Sequence, residues 1–408
     1  MPRLLATWRA LRRGGEGRRR EAWSQARRGR EPGDRLAPDE LREVAAAVER
    51  LSRGLTRDRA LAGARYMDDP RLLGAYLLFY WPVSYLQARG VLSELPRRAR
   101  TALDLGSGPG PVGFAALDAG AAEVVLADRS ARALEVARAL AAEAGEPVAT
   151  RAWDPERGPG LDAVAGGRRF DAVTLGHVVN EVLRGDGAAA RRAALIEEAL
   201  ALVAPGGSLV VLEPALRDTS RALLEVRDLL VGRGVAVRAP CLYRGACPAL
   251  VRATDWCHAE RPVEPPPLVE EIARRAGLRR EAVKMSYLVL APRGEAWAPP
   301  PPGRVFRIVS EPLPSKGRLR YMGCGPEGRL GLALQEKDVA DPNRRFARLL
   351  RGDVVEVTDV EPRGDGLRLG PASEVRVIAP AGRPVPPGPA TAHDPRPDGR
   401  GPASPGRA

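Results

Sequence analysis

The residues with the most chemistry in them are four cysteines gathered late in the chain. Cys241, Cys247, Cys257 and Cys324 are the whole cysteine content of 408 residues, and their spacing is C-x5-C-x9-C-x66-C. So few thiols cannot make a disulfide framework. Structural zinc sites usually bring ligands as close C-x2–4-C pairs, and this spacing has none. Iron–sulfur clusters also need four thiolates, and their larger cube tolerates wider intervals. Thiolate is soft enough for either metal. Three readings stand open: a cluster on all four thiols, zinc with His258 replacing one of them, and scattered buried cysteines with no metal. A centre that included Cys324 would tie the end of the chain to the 241–260 segment, and losing the metal would loosen that tie.

The second constellation is Asp104-Leu105-Gly106-Ser107-Gly108-Pro109-Gly110, which follows a strand-like segment and precedes a helix-like one. Glycines at 106, 108 and 110 let the backbone turn sharply and let a ligand approach closely. Pro111 suits the first helical position, and the helix start favours an anionic group. Gly108, Gly110 and Gly113 also spell the dinucleotide fingerprint, a weak signal alone. Asp104 shifts the balance, because an acid two residues before the first glycine resembles the first motif of class I S-adenosylmethionine-dependent methyltransferases. Asp128 ends the next strand, where a carboxylate can accept both ribose hydroxyls. Asp154 follows the third strand and is placed to face an adenine edge. After the fourth strand come His177, Asn180 and Glu181, the candidate catalytic residues. His177 is read equally as a base near neutral pH and as a hydrogen-bonded structural histidine. No cysteine precedes position 241, which excludes a nucleophilic C5-methylating thiol in the glycine-loop half.

These residues need elements to position them. Residues 101–294 alternate short apolar strands with segments of crossover-helix length, which predicts an α/β fold with an open, doubly wound, Rossmann-like parallel sheet. The cysteine-bearing insertion 241–260 sits before its last strand. Residues 38–100 read as a helical region, amphipathic at 38–55 and interrupted before Pro82. Proline-rich 295–304 reads as a linker. Short, turn-punctuated strands over 305–379 predict a small, OB-like β-barrel. Residues 1–37 are expected to be basic and flexible, and 380–408 disordered.

Charge bears on partners. The balance of 64 basic and 51 acidic side chains gives +13, and only Lys284, Lys316 and Lys337 among the basic residues are lysines. Guanidinium groups suit phosphate, so the excess favours a polyanionic partner. No run approaches the roughly 18 apolar residues of a membrane span, and the N-terminus lacks a secretory pattern. The expectation is a cytoplasmic bacterial protein, mitochondrial only if the source is eukaryotic, with no membrane partner and a monomeric state.

The segments YMDDPRLLGAYLLFYWPVSY, LDLGSGPG, GHVVNEVL, LVAPGGSLVVLEP, CLYRGACPALVRATDWCHAERP and PLPSKGRLRYMGCG together resemble one family. It comprises the methyltransferase-like proteins associated with the mitochondrial small ribosomal subunit and their bacterial relatives. The resemblance spans roughly 45–375. It implies a [4Fe-4S] cluster on Cys241, Cys247, Cys257 and Cys324, S-adenosylmethionine binding, and association with small-subunit ribosomal RNA. It leaves open whether the protein methylates an RNA base or serves assembly as a silent scaffold. Relatives often carry Cys-Pro-His where this chain has Cys241-Leu242-Tyr243. Lys316 and Arg318, taken to lie beside the cluster, are the RNA-phosphate candidates.

Overall fold

A computed structural model describes residues 1–13, 35–278 and 282–389. The central sheet contains β1 (Thr101–Leu105), β2 (Glu123–Asp128), β3 (Val148–Ala152), β4 (Phe170–Gly176), β5 (Val203–Pro214), β6 (Val237–Ala239), β7 (Ala259–Pro262) and β8 (Ala282–Leu290). Its order is β3-β2-β1-β4-β5-β8-β6, with β7 also on β8. The first five strands pair in parallel, and β8 runs antiparallel to its three partners. The order reverses between β1 and β4, and a crevice opens at such a switch point beyond the strand C-termini. Apolar runs such as Ala102–Leu103 and Leu209–Leu212 are buried, as expected of strands covered on both faces.

Helices α1 (Pro2–Arg13), α2 (Pro38–Ser52), α3 (Pro70–Ala75) and α4 (Trp81–Leu92) precede the sheet. The expectation of a flexible 1–37 fails for α1, because Leu4, Leu5 and Trp8 are buried in one apolar cluster with Leu73, Val136 and Leu140. The remainder of that segment, 14–34, lies outside the described residues. Asp69 caps α3 by accepting from the Arg71 and Leu72 amides. A π turn, Tyr76–Tyr80, joins α3 to α4 directly before Pro82. The interruption predicted there is thus a wide turn within one rod, at the proline that lacks an N–H. Crossover helices α5 (Pro111–Asp118), α6 (Ala131–Ala144), α7 (Leu161–Ala165), α8 (Ala188–Leu200) and α9 (Arg217–Gly232) follow, then α10 (Pro267–Arg275).

The C-terminal sheet comprises β9 (Arg304–Ile308), β10 (Leu313–Ser315), β11 (Arg318–Gly325), β12 (Gly328–Gln335), β13 (Val354–Val357), β14 (Val360–Arg363), β15 (Gly366–Leu369) and β16 (Val375–Ala379). The path is β14-β15-β12-β11-β9-β13-β16, with β10 on β11. Every pair is antiparallel except β12 with β15. This is the small β domain expected over 305–379, with Phe306, Tyr321, Leu332, Phe346 and Val355 buried in its core; among the described residues no pairing joins β14 to β16.

Three fastenings set the two sheets against each other. The side chain of Glu94, just past α4, is 1 % exposed; its Oε1 accepts from Arg261 Nη2 and the Tyr287 hydroxyl, both at 2.7 Å, and Arg307 Nη1 stands 3.3 Å from Oε2. Within the proline-rich linker, Glu295 accepts from the Gly206 amide at 2.6 Å and pairs with Arg238. The expectation of disorder from 380 also fails at its start: Gly382 O accepts from Ser93 Oγ at 2.6 Å, Ala381 N donates to Asp353, and Gly388 N donates to Pro299 O. Residues 390–408 lie outside the described residues.

Candidate functional site

A cavity of about 640 Å³ occupies the switch-point crevice, within the range of small-molecule sites. The glycine loop forms one wall. Gly106 and Ser107 donate to Ala127 O, and Gly110 donates to Ser107 O. Gly106, at φ +71, has no room for a side chain, since a Cβ would stand 2.2 Å from Val178 Cγ2. Gly106, Gly108 and Asp128 line the cavity. Asp128 Oδ2 accepts from Gly108 N and Oδ1 from Ser130 N, both at 2.7 Å. Each oxygen keeps a second lone pair.

The other cofactor candidates are not on the wall. Asp104 is buried with Oδ1 accepting from Thr174 Oγ1 at 2.7 Å and Oδ2 from Gly113 N at 3.1 Å. It pins α5 to β1 and β4, and burial pushes its pKa up to about 7. Asp154 Oδ1 accepts from Glu156 N, while its neighbour Trp153 lines the cavity instead.

His177, Asn180 and Glu181 all reach the cavity. Gln87 Nε2 donates to Lys284 O at 2.7 Å, which leaves Gln87 Oε1 to accept from His177 Nε2 at 2.9 Å. His177 therefore carries its proton on Nε2. Asn180 Nδ2 donates to Glu213 Oε2 at 2.5 Å and to His177 O at 3.2 Å. Glu213 went unnoticed in the sequence because it ends an apolar strand. Burial raises the pKa of Glu181 to about 7 and that of Glu213 to about 8.

These carboxyls have a pH consequence. The folded protein holds protons that the unfolded chain releases near pH 4 to 5. Stability from a raised carboxyl is complete below that range and is lost as pH climbs to the folded value. Glu213→Gln removes one such group. The melting temperature of the variant, relative to wild type, is expected to rise from about pH 5 to 8 and then level off. A constant offset would rule out a protonated Glu213.

The cavity roof comes from the N-terminal helical region. Arg59, Ala64, Arg65, Tyr66, Met67, Tyr76 and Tyr80 line it, and none of these was among the site residues expected from the sequence. Its signal was the YMDDP segment itself, whose Asp68 accepts from Ser130 Oγ at 2.6 Å.

The cysteines lie where the two sheets meet. Cys241 follows β6, Cys257 precedes β7, and Cys324 in β11 stands opposite Arg307 and Arg329. Cys247 N donates to Asp228 Oδ2 at 2.9 Å. Burial pushes Cys247 up to about 11 and Cys324 up to about 12, and Cys241 raises both further. Cys257 rises too, through burial and then through Cys241, Cys247 and Cys324. Cys257 thus feels the charge of the other three thiols, but among the described residues no group of three or more His, Cys, Asp or Glu side chains could hold a metal ion.

Two buried arginines border the thiols. Arg227 donates to Tyr243 O and Gly245 O and pairs with Asp228. Arg227 Nε and Arg307 Nε and Nη2 are buried without a hydrogen-bond partner. Buried, unpaired donors are costly, and an anionic group among the thiols would satisfy them. His258 directs Nε2 to Glu260 Oε1 at 2.8 Å and stacks on Trp256. Lys316 and Arg318 are exposed at the β10–β11 turn. Arg318 lies six residues from Cys324 along an extended strand, about 20 Å, so the pair is not beside the cysteines as expected.

A Rossmann-like sheet with its last strand antiparallel, a glycine loop after β1 and an acid ending β2 define the methyltransferase-like class. Within it, the family model described as mitochondrial small ribosomal subunit Rsm22 matches residues 73–354. That is well over half of the chain, and the protein belongs to this family. Solved structures similar to it include an O-methyltransferase family protein from Burkholderia thailandensis, at 18% identity, TM-score 0.37, 69% of this chain and 86% of that one. Others are a methyltransferase from Pyrococcus furiosus (14%, 0.34, 51% and 81%) and the ribosomal protein L11 methylase of Lactobacillus delbrueckii subsp. bulgaricus (14%, 0.30, 52% and 77%). Comparison with curated proteins gave no match. No helix among the described residues is long and apolar enough to cross a membrane.

Proposed function

We propose that this protein is a nucleoside-binding, methyltransferase-like factor that docks on small-subunit ribosomal RNA and carries an iron–sulfur centre. The observation that carries the reading is the family match over 73–354, which takes in the glycine loop, most of the cavity lining and all four cysteines. S-adenosylmethionine, when bound, supplies a methyl group activated on sulfur. Gly106 and Gly108 would give it backbone clearance, Asp128 would accept from its ribose hydroxyls, and Trp153 would pack against its base. Asn180, oriented by Glu213, and Glu181 would hold the acceptor, with His177 keeping the loop in place through Gln87.

Cys241, Cys247, Cys257 and Cys324 would hold a [4Fe-4S] cluster that cross-links the two sheets. The orphaned Arg227 and Arg307 donors support an anionic occupant there. Zinc with His258 is the second metal reading: Glu260 engages Nε2 of that ring and leaves its buried Nδ1 without a partner, the arrangement in which an imidazole ligates a metal. RNA contact would fall to exposed basic groups such as Lys316 and Arg318, through phosphate.

The test is purification without oxygen followed by an absorbance spectrum, iron analysis and retention on small-subunit rRNA at rising salt. A band at about 400 nm, lost with the iron in Cys324→Ser, is expected, together with steeply salt-sensitive retention. Colourless zinc-loaded protein would overturn the cluster, and salt-indifferent binding would overturn the phosphate mode. Incubation with labelled S-adenosylmethionine and small-subunit particles separates enzyme from scaffold, since a scaffold docks without incorporating label.

A further inference from the structure

Residues 59–68 lie outside the Rossmann-like sheet, yet they are fastened to the loops that follow β2 and β4. Arg129 Nη2 donates to Gly63 O at 2.9 Å and to Ala64 O at 2.8 Å. Arg184 Nη1 donates to Ala62 O at 2.9 Å. Arg59 Nη2 donates to Asn180 O at 3.0 Å and also bonds the Asn180 side chain. Glu181 faces the Gly63 amide at 3.5 Å and the Tyr66 hydroxyl at 3.4 Å.

Two backbone positions are set by these fastenings. Arg59 sits at φ +59, a left-handed conformation that costs a non-glycine residue free energy. Gly63 sits at φ +80, and a Cβ there would stand 2.9 Å from Glu181 O. No side chain fits at 63 while the segment is fastened. Between the fastenings Tyr66 and Met67 line the cavity. Met67 Cε stands 3.4 Å from where a Cβ on Gly108 would be, so whatever lies along the glycine loop there is covered by this methionine.

We propose that residues 59–68 are a ligand-binding strap, in which Tyr66 and Met67 touch the bound sulfur-bearing nucleoside while Arg129 and Glu181 hold them over it. The inference rests on the nucleoside reading above and extends it to residues outside the methyltransferase sheet. The strap joins the loop that bears the ribose-facing Asp128 to the loop that bears the acceptor-facing Asn180. Its closure would make the two halves of the cavity one enclosure, and ligand exchange would need the Arg129 and Glu181 fastenings to release.

The test is calorimetric titration of the full chain with S-adenosylhomocysteine, alongside hydrogen exchange of 59–68 with and without it. Met67→Ala and Gly63→Ala are each expected to weaken binding about tenfold or more, with ligand-free melting of Met67→Ala close to wild type. Wild-type exchange at 59–68 should slow on binding. Wild-type binding with Met67→Ala and Gly63→Ala within about twofold, or exchange unchanged by ligand, would overturn the strap while leaving the nucleoside reading intact. Failure of the wild type to bind would overturn both.

Discussion

Glu94→Ala is expected to destabilise the protein by about 3–5 kcal/mol, the usual cost of stranding a buried partner. The side chain is 1 % exposed and is the common acceptor for Arg261, Tyr287 and Arg307. These come from β7, β8 and β9, while Glu94 itself follows α4, so one side chain joins the helical region, the central sheet and the C-terminal sheet. Its removal leaves two buried guanidinium groups without their paired carboxylate, and Arg307 already has two orphaned nitrogens. Burial opposes the charge on Arg307, yet Glu94, Tyr287, Cys241 and Cys257 together outweigh it and raise its pKa. Losing Glu94 takes away the largest of those supports. The expected signature is a lower melting temperature with a separated low-temperature transition, and faster proteolysis between 295 and 303. A single cooperative transition within about 1 kcal/mol of wild type would show that the knot does not hold the sheets together.

What the sequence disclosed follows from local backbone chemistry. The loop from 104 to 110 was legible because only glycine serves at Gly106, where φ is +71 and Val178 fills the space of a side chain. Strand and helix alternation was legible because strands buried on both faces read as unbroken apolar runs. The roof was not legible. Its bonds join Gly63 to Arg129 and Glu181, 66 and 118 positions away, and no local periodicity records a partner at that distance. Asp104 was read as facing a ligand, because its register beside Gly106 is visible while its burial by Thr174 and Gly113 is not. α1 was missed because Arg-rich flanks masked the burial of Leu4, Leu5 and Trp8, which α3, the Tyr76–Tyr80 turn and α6 make worthwhile.

Asp128→Ala is expected to weaken S-adenosylhomocysteine binding by about 100-fold or more. Two losses add at this position. The first is the ribose acceptor itself, since hydrogen bonds to a charged group contribute about 1.5–3 kcal/mol each. The second is the geometry of the loop: Asp128 holds the Gly108 amide and the Ser130 amide at 2.7 Å, and Ser130 in turn caps α6 and donates to Asp68 of the strap. Asp128→Asn separates the two. It keeps one carbonyl acceptor but turns an NH2 toward one of those amides, so it should bind less tightly than wild type and better than alanine. Burial raises the Asp128 pKa in the ligand-free protein, so removing the carboxyl relieves desolvation even as it strands two amide donors. Ligand-free stability should therefore move much less than affinity. Equal affinity across wild type, Asn and Ala would take Asp128 out of the ligand site and, with it, the assignment of the cavity to a ribose-bearing molecule.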